Sequence, residues 1–233
     1  MHAISYRNLK VHIGSRAEAC HELTTVLHKG GQHQVITLNP EFIVLASKNP
    51  TLAALTHKVA FCLVDGIGLA FALRRYGALE RYPGADMVPD LLQYCAAHQK
   101  TVGVVLTHGG LSTNTTVVTR LTHAFPGLRI AAWDEHENVH DKVRQFAPDV
   151  LLVTFGQPRQ DFWIAENVPN FQSVHLAIGV GGAIDFLTGA RKRAPRVMRA
   201  LGLEWLWRLF TQPRRFLRIL RATFGFWYTI LCR

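Results

Sequence analysis

The chain has 233 residues, of which 48% are hydrophobic, and a formal net charge of +10. This length suits one globular domain with room for an appendage, and the hydrophobic fraction excludes a disordered protein. The start, "MHAISYRNLK", lacks the apolar stretch of a signal peptide, which favours a cytoplasmic protein. The four cysteines are far apart and form no CxxC pair, so we expect reduced thiols and neither a disulfide framework nor a zinc knuckle.

Strand and helix patterns alternate along the first 190 residues. Apolar, β-branched runs predict strands at residues 34–38, 60–64, 101–107, 128–133, 149–154 and 174–180. Helical spacing predicts helices at residues 17–28, 40–47, 67–75, 86–98, 113–123, 137–146 and 160–167. Because strands that are apolar on both faces alternate with helices, we predict an α/β fold: a single Rossmann-like domain with a largely parallel sheet covered by helices on both faces.

The C-terminal segment differs in composition and holds the whole charge excess. Residues 191–233 contain eleven Arg or Lys and one Glu, whereas residues 1–190 hold fifteen basic and fifteen acidic side chains. We therefore divide the chain into an α/β core, 1–190, and a basic, aromatic-rich helical appendage, 191–233. Pro213 suits a first helical turn, so the appendage is predicted as helices 194–210 and 213–231. A basic block of this kind binds something anionic: ligand phosphates, a lipid surface or nucleic acid.

The second predicted helix of the appendage is amphipathic. Its apolar face carries Phe216, Leu217, Leu220, Phe224, Trp227, Tyr228 and Leu231. Its basic stripe consists of Arg214, Arg218 and Arg221. The apolar run 222–232 has eleven residues, whereas a spanning helix needs about 20, so we predict that the segment lies on a membrane without crossing it. Aromatic residues on one helical face suit a lipid interface better than base stacking, so no nucleic-acid partner is predicted.

Polar residues follow several of the predicted strands, at the edge where α/β proteins bind ligands. "FCLVDGIG" ends its strand at Asp65, which is either the N-cap of the next helix or a carboxylate of a site. "TLNPE" places Thr37 and Asn39 before a proline, with Asn39 as an expected N-cap. "FGQPRQDFW" presents Gln157, Arg159 and Gln160 at a helix start, and the sequence leaves open whether these polar residues form a turn or a site.

The glycine-rich stretch "GVGGAIDF" follows a strand and opens a predicted helix. Backbone N–H groups at such a turn can hold a phosphate. Ile184 stands where GxGxxG needs its third glycine, and no acidic ribose ligand is placed as usual, so a dinucleotide site is not expected. A phosphate or sugar-nucleotide site and a simple packing turn both remain open here.

The pentapeptide "HENVH" matches the zinc motif HExxH at His136 and His140. Its surroundings, "WDEHENVHDK", are charged and indicate a strand-to-helix turn, and no downstream residue is an obvious third ligand. We therefore favour a solvated helix start and keep a zinc hydrolase as an alternative. Since the chain has no DxD motif and no GxSxG, we predict neither a metal nor a cofactor, and a group transfer that uses a single general base.

Five segments, taken in order, resemble the WecG/TagA/CpsF family of bacterial glycosyltransferases. They are "VITLNPEFIVLASKNP", "LVDGIGLAFALRRYG", "RYPGADMV", "LLVTFGQPRQDFWIAEN" and "GVGGAIDFLTGARKRAPRVMRALGLEWLWRLFTQPRR". The resemblance implies an inverting enzyme that moves N-acetylmannosamine, its uronic acid or glucose from a UDP-sugar to a polyprenyl-diphosphate-linked glycan, during cell-envelope or exopolysaccharide biosynthesis. Together with the basic tail, it predicts an anionic membrane surface as partner and a peripheral location on the inner face of the cytoplasmic membrane.

The resemblance also assigns roles to individual residues. Asp65 matches the family's catalytic base, which would deprotonate the acceptor hydroxyl as it attacks the anomeric carbon and expels UDP. A partly desolvated pocket should raise the pKa of such a base. The substrate-binding residues that it implies are Thr37, Asn39, Arg81, Gln160, Arg214, Arg218 and Arg221. The nucleotide-binding residues that we predict around the glycine turn are Gly179, Gly181, Gly182 and Asp185.

The chain departs from the family pattern at three places: Asp161 stands where Gln-Glu is usual, "LTHGG" replaces a plainer glycine turn near residue 108, and the tail after Arg221 is unusually aromatic. These departures leave the donor sugar and the details of nucleotide contact open. A non-enzymatic module that binds a membrane or nucleic acid through the same tail is the alternative from another class. The sequence also leaves open whether the chain forms a homo-oligomer.

Overall fold

The computed structural model describes residues 1–77, 80–211 and 216–231, and within these ranges one sheet of eight strands is covered by twelve α-helices. The strands are β1 His2–Tyr6, β2 Leu9–Ile13, β3 His33–Leu38, β4 Phe61–Val64, β5 Thr101–Leu106, β6 Arg129–Asp134, β7 Val150–Val153 and β8 Leu176–Gly179. Their order across the sheet is β1-β2-β4-β3-β8-β7-β5-β6, and each pairing is parallel apart from that of β1 with β2. The predicted α/β fold with a largely parallel sheet is confirmed.

The helices alternate with the strands in the core and then continue alone through the tail. In the core they are α1 Arg16–Lys29, α2 Pro40–Ala46, α3 Pro50–Lys58, α4 Ile67–Ala72, α5 Gly84–Ala97, α6 Asn114–Ala124, α7 Val139–Phe146, α8 Arg159–Asn167 and α9 Ala183–Leu187. In the tail they are α10 Arg196–Ala200, α11 Glu204–Thr211 and α12 Phe216–Leu231. Short 3₁₀ turns lie at Arg74–Tyr76 and Val168–Asn170.

Both faces of the sheet are covered because side chains alternate along strands that are apolar throughout. In β4, Phe61 and Leu63 pack into one layer, whereas Cys62 and Val64 pack into the opposite layer. The first layer is formed by α1, α5, α6 and α9. The second is formed by α2, α3 and α12 over one half of the sheet and by α7 and α8 over the other.

An N-terminal hairpin, β1 and β2, was not among the predicted strands. Its turn residues Arg7 and Asn8 have φ of 48° and 60°, the left-handed conformation that tight hairpin turns require. Because neither of them is glycine, the usual sequence signal for such a turn is missing. The hairpin buries Leu9, Val11 and Ile13 and continues the sheet, since β2 pairs in parallel with β4.

Several helix predictions need correction. The structure adds α3 and α9 to the predicted set, and it divides the predicted helix 194–210 into α10 and α11. The break between these two helices contains Gly202, whose φ is 72°. A side chain there would overlap Ile67 of α4, so the break brings the tail close to the end of β4.

The tail is docked on the core by its last helix. α12 packs on α2, and Phe226 is 1% exposed in the second core layer. Gly225 allows the close approach, since a Cβ atom on it would lie 3.3 Å from both methyl carbons of Val44. Arg7 of the hairpin donates to the backbone carbonyl of Ile230 at 2.6 Å. Among the described helices, none has the length and hydropathy needed to span a membrane.

Candidate functional site

A cavity of about 800 Å³ opens at the carboxyl ends of β3, β4, β5, β7 and β8. The strand order reverses at β3, because β4 lies on one side of it and the later strands lie on the other. Ligands of open α/β sheets bind at such a reversal, and this volume is in the range of about 300–1,000 Å³ usual for small-molecule sites. Polar residues on its wall are Thr37, Asn39, Glu41, Asp65, Arg81, Thr107, Ser112, Thr154, Gln157, Gln160, Asp185, Arg191, Glu204 and Thr223.

Asp65 is half-buried on this wall, immediately after β4. Its backbone N–H donates to the carbonyl of Leu38 at 2.8 Å, which holds the end of β4 beside the end of β3. Helix α4 begins with Gly66 as its N-cap and has no side-chain capping bond. Helix capping therefore does not explain the carboxylate, and its position on the cavity wall fits the predicted catalytic role.

The two glycines that follow Asp65 are required by packing. A side chain on Gly66 would overlap the ring of Pro40, and a Cβ atom on Gly68 would lie 3.3 Å from Cε1 of Phe226. The first contact holds Gly66 against the start of α2, and the second places an aromatic ring of the tail against Gly68 in the first turn of α4. The loop that carries Asp65 is thus held between the core and the tail.

Asn39 lines the cavity, and its side-chain amide bonds to two other parts of the wall. Its Oδ1 accepts the N–H of Phe42 at 2.9 Å, which confirms the predicted N-cap of α2. Its Nδ2 donates to Oε1 of Gln157 at 2.9 Å, and Nε2 of Gln157 donates to the carbonyl of Thr37 at 2.6 Å. Gln157, which the sequence left open as a turn or site residue, therefore ties the loop after β7 to the end of β3.

Gln160 also joins two loops of the wall. It is 2% exposed, and its Oε1 accepts the N–H groups of Gly156 and Gly181, both at 3.0 Å. A side chain on Gly179 would overlap the Gln160 amide, so this glycine is needed for packing, and it is not one of the described cavity-lining residues. Gly181, Gly182 and Asp185 do line the cavity, as the predicted nucleotide site requires.

Charged groups lie close to the glycine turn. Oδ1 of Asp185 accepts a hydrogen bond from the Ser112 hydroxyl at 2.8 Å. The guanidinium of Arg191 lies beside Gly182, 3.5 Å from the position that a Cβ atom would take there. Arg81 lines the cavity and donates to the carbonyl of Arg199 in α10 at 3.0 Å. Arg191 and Ser112 were not among the residues predicted from the sequence. The one sequence feature that points to Arg191 is its place at the start of the basic run "RKR", and no sequence feature points to Ser112.

The tail supplies an aromatic wall. Trp205 of α11 and Phe226 and Trp227 of α12 line the cavity. Arg214 lies outside the described residues, as do the side chains of Arg218 and Arg221, whose backbone belongs to α12. The predicted contacts of these three arginines with a diphosphate therefore stay a prediction.

The HExxH motif does not form a paired histidine site. His136 precedes α7, and its ring stacks on His108 with 4.2 Å between ring centroids. His140 lies in the first turn of α7, and its Nε2 bonds to Oδ1 of Asn167 at 2.6 Å. The two histidines thus have different partners, which fits the favoured interpretation of the motif as a solvated helix start.

Asp161 is a buried carboxyl group near the cavity but outside the described lining. It is 0% exposed in the first turn of α8, and neither carboxyl oxygen has a hydrogen-bond partner among the described residues. Burial raises the pKa of this group to about 8, against a smaller opposing effect of its own backbone N–H. The folded protein therefore holds Asp161 protonated and neutral at pH 7, as an apolar site requires.

We expect Asp161 to make the protein less stable as pH rises. In the unfolded chain the carboxyl ionises near pH 4, whereas in the folded protein it keeps its proton up to about pH 8. Between these values the unfolded state binds fewer protons, so the free energy of unfolding falls by up to about 1.4 kcal/mol per pH unit through this group. Urea unfolding at several pH values should show that the free energy of unfolding of Asp161→Asn increases relative to that of the wild type from pH 5 to pH 8.

The same substitution at Asp141, which is exposed on α7, controls for the loss of a negative charge. Asp141→Asn should follow the wild-type trend. A difference between the wild type and Asp161→Asn that stays constant across this pH range would contradict the assignment.

A largely parallel sheet with a large cavity at its carboxyl edge, lined by both polar and aromatic residues, is typical of an α/β enzyme that binds a small molecule. The chain belongs to the glycosyl transferase WecG/TagA/CpsF family, whose model matches residues 4–233. It is therefore a glycosyltransferase, and the resemblance found in its motifs is confirmed.

Two similar proteins carry the name N-acetylglucosaminyldiphosphoundecaprenol N-acetyl-beta-D-mannosaminyltransferase. One from Bacillus spizizenii is 32% identical over 207 residues, which cover 86% of this chain and 79% of that protein. One from Staphylococcus aureus is 28% identical over 196 residues, which cover 79% of this chain and 74% of that protein.

Proposed function

We propose that the protein transfers a sugar, with inversion, from a UDP-sugar to a polyprenyl-diphosphate-linked glycan in cell-envelope or exopolysaccharide biosynthesis. The observation that carries the proposal is the half-buried Asp65 on the wall of a cavity of about 800 Å³, beside the aromatic wall of a basic tail. The names of the two relatives support a lipid-linked acceptor, and they make N-acetylmannosamine the first donor sugar to test.

In this proposal Asp65 takes the proton from the acceptor hydroxyl as its oxygen attacks the anomeric carbon. The bond from that carbon to the diphosphate breaks, and UDP leaves with the electron pair. Arg81 and Arg191 line the same cavity, where their guanidinium groups can offset the charge that develops on the leaving diphosphate. We propose that Arg214, Arg218 and Arg221 of the tail contribute further positive charge against the leaving diphosphate. Gln160 acts as a positioning residue, because it holds the loops after β7 and β8 together.

The direct test is a screen of UDP-sugars against short polyprenyl-diphosphate acceptors, with the mass of the product as readout. We expect one donor to add one sugar to the acceptor, with UDP released in equal amount. If no donor yields a product while the protein still binds anionic membranes, and Asp65→Asn leaves that binding unchanged, the non-enzymatic module is favoured instead.

We further propose that the tail docks the enzyme on the inner face of the cytoplasmic membrane. On α12, Phe224 and Tyr228 are 69% and 65% exposed, and Phe210 at the end of α11 is 74% exposed. Burial of apolar surface contributes about 25 cal/mol per Å², and each arginine near anionic lipid adds roughly 1 kcal/mol. Exposed aromatic side chains on a basic segment therefore fit the surface of an anionic bilayer.

Replacing both Phe224 and Tyr228 with serine should weaken binding to anionic liposomes at least tenfold, because full burial of one such side chain is worth about 1.5–3 kcal/mol. Sedimentation with liposomes measures the change. Both side chains are exposed, so the melting temperature and transfer to a short, water-soluble acceptor should stay near wild type. Binding to zwitterionic liposomes serves as the reference from which the electrostatic contribution to membrane binding is obtained. Unchanged sedimentation of the double variant would contradict docking through this face.

Transfer is predicted to need no added metal ion. The chain has no DxD motif, and the two histidines of HExxH contact different partners. EDTA should therefore leave the transfer rate unchanged, and replacement of His136 and His140 by alanine should be tolerated. A rate that falls in EDTA and returns with a divalent ion would show that this prediction is wrong.

A further inference from the structure

Two histidines and an aspartate come together on the rim of the cavity. His108, Asp134 and His136, which we call the rim cluster, each offer one ligand atom within 4.8 Å of the others. Nδ1 of His108 lies 3.0 Å from Oδ1 of Asp134. The His136 ring, stacked on His108, brings the third ligand atom to the same place.

The sheet itself produces this cluster. β5 and β6 are parallel neighbours, and Leu106 at the end of β5 is in register with Asp134 at the end of β6. His108 and His136 each follow two residues after this pair, so the two imidazoles leave the sheet side by side. Their proximity is therefore a consequence of strand register, although they are far apart in sequence.

Backbone hydrogen bonds hold the cluster in place. The N–H of His108 donates to Oε1 of Glu135 at 2.9 Å, and the N–H of His136 donates to Oδ1 of Asp134 at 2.9 Å. The Thr107 hydroxyl donates to the same Glu135 oxygen at 3.1 Å. Because the backbone at both histidines is anchored, a ligand would have to order only their side chains, which lowers the entropic cost of binding.

We propose that the rim cluster binds a divalent transition metal of the zinc class. Two imidazole nitrogens and one carboxylate oxygen are ligands that zinc prefers, and the exposed face of both rings leaves room for water as a further ligand. A tetrahedral site with ligand bonds of about 2.0–2.1 Å brings ligand atoms to roughly 3.4 Å from one another. Rotation of the two exposed imidazoles can close the remaining gap.

The charges around the cluster are compatible with a cation. Asp134 contributes a carboxylate, whose Oδ1 is held in place by the backbone N–H of His136 at 2.9 Å. The neighbouring cations are already paired, since Arg159 forms a salt bridge with Glu135 and Lys142 forms one with Glu137. A metal ion would thus meet a site in which the nearby positive charges are neutralised.

A bound metal would tie two segments of the rim together. Thr107, Gly109 and Gly110 line the cavity, so a bond to His108 would fix this loop to the turn before α7. The cluster lies at β5 and β6, and Asp65 follows β4, four strand spacings from β5 in the sheet. At about 4.8 Å per spacing the separation is roughly 20 Å, so the metal would act on the rim and not on the reacting atoms. The inference does not rest on the proposed function.

The test uses the full-length, tag-free protein after chelator treatment, titrated with Co²⁺ as a visible-absorption probe of zinc sites and then with competing Zn²⁺. The wild type should show saturable d–d absorption, and His108→Ala and His136→Ala should each bind at least tenfold more weakly. Asp134→Asn can still accept from the His136 N–H but lacks the negative charge, so it should also bind more weakly. His123→Ala, an exposed histidine on α6, is the matched control and should bind like the wild type.

Imidazole NMR signals assign the binding to particular rings. At one equivalent of Zn²⁺ the signals of His108 and His136 should shift together. Melting temperatures of the metal-free variants should stay near wild type, because both rings are exposed. Equal Co²⁺ affinity of the wild type and His136→Ala, or Zn²⁺ shifts confined to other histidines, would overturn the proposal.

Discussion

Replacing Asp65 with asparagine is expected to reduce glycosyl transfer by about 10²–10⁴-fold, the usual contribution of a general base. Asparagine keeps the size of the side chain but cannot accept a proton at neutral pH. The fold should survive, because the backbone bond to Leu38 is unaffected and the N-cap of α4 is Gly66, without a side-chain capping bond. Initial rates with saturating donor and acceptor measure the loss, and a melting curve checks the fold.

A second carboxylate of the same cavity provides the matched comparison. Glu41 lies in the first turn of α2 and also lines the wall. If Asp65 is the base, Glu41→Gln should lose far less activity than Asp65→Asn. Near-wild-type turnover of a folded Asp65→Asn protein would refute the assignment, and a large loss in Glu41→Gln alone would transfer the role to Glu41.

Truncation after Phe210 is expected to abolish both transfer and binding to anionic liposomes. The deletion removes α12 and, with it, Phe226 and Trp227 from the cavity wall. It also uncovers the face of α2 around Val44 and empties the place of a fully buried phenylalanine in the second core layer. Loss of a buried phenylalanine costs about 3–5 kcal/mol, so part of the effect should appear as a lower melting temperature.

Point variants separate the two roles of the tail. Phe226→Ala should loosen α12 and lower both transfer and stability, whereas Tyr228→Ala, at an exposed position of the same helix, should leave stability unchanged. Arg221→Ala should reduce transfer more than liposome association if its side chain serves the diphosphate. A truncated protein that still sediments with anionic liposomes and turns over at the normal rate would show that the tail has neither role.

The central strands were predictable because each is a run of apolar residues that must be buried on both faces. Val150–Val153 and Leu176–Gly179 lie inside their predicted ranges. The hairpin at the edge was not predictable in this way, since its turn is Arg7-Asn8 without glycine. Helix α3 does carry a signal, the N-cap Asn49 followed by Pro50 at the first helical position, which repeats the pattern at the start of α2.

For the cavity, residues at strand ends could be named in advance, whereas their partners could not. Asp65, Thr37 and Asn39 follow strands in a way that places them at one edge of any parallel sheet. The bridging role of Gln157 depends on β7 and β3 being close in space, which chain order does not reveal. Phe226 was not predicted for a related reason. Its burial depends on the rotation of α12 about its own axis where it packs on α2, and Phe226 lies outside the predicted apolar face.

The aromatic wall has a consequence for the order in which the enzyme becomes complete during synthesis. Cavity-lining residues run from Thr37 to Trp227, so the cavity is closed only after α12 has left the ribosome. A nascent chain with its sheet already folded would hold Asp65 beside an open, water-filled groove, without Phe226 against Gly68. A complete cavity thus requires α12, and a chain clipped before α12 would lack both Phe226 in the second core layer and the aromatic wall of its cavity.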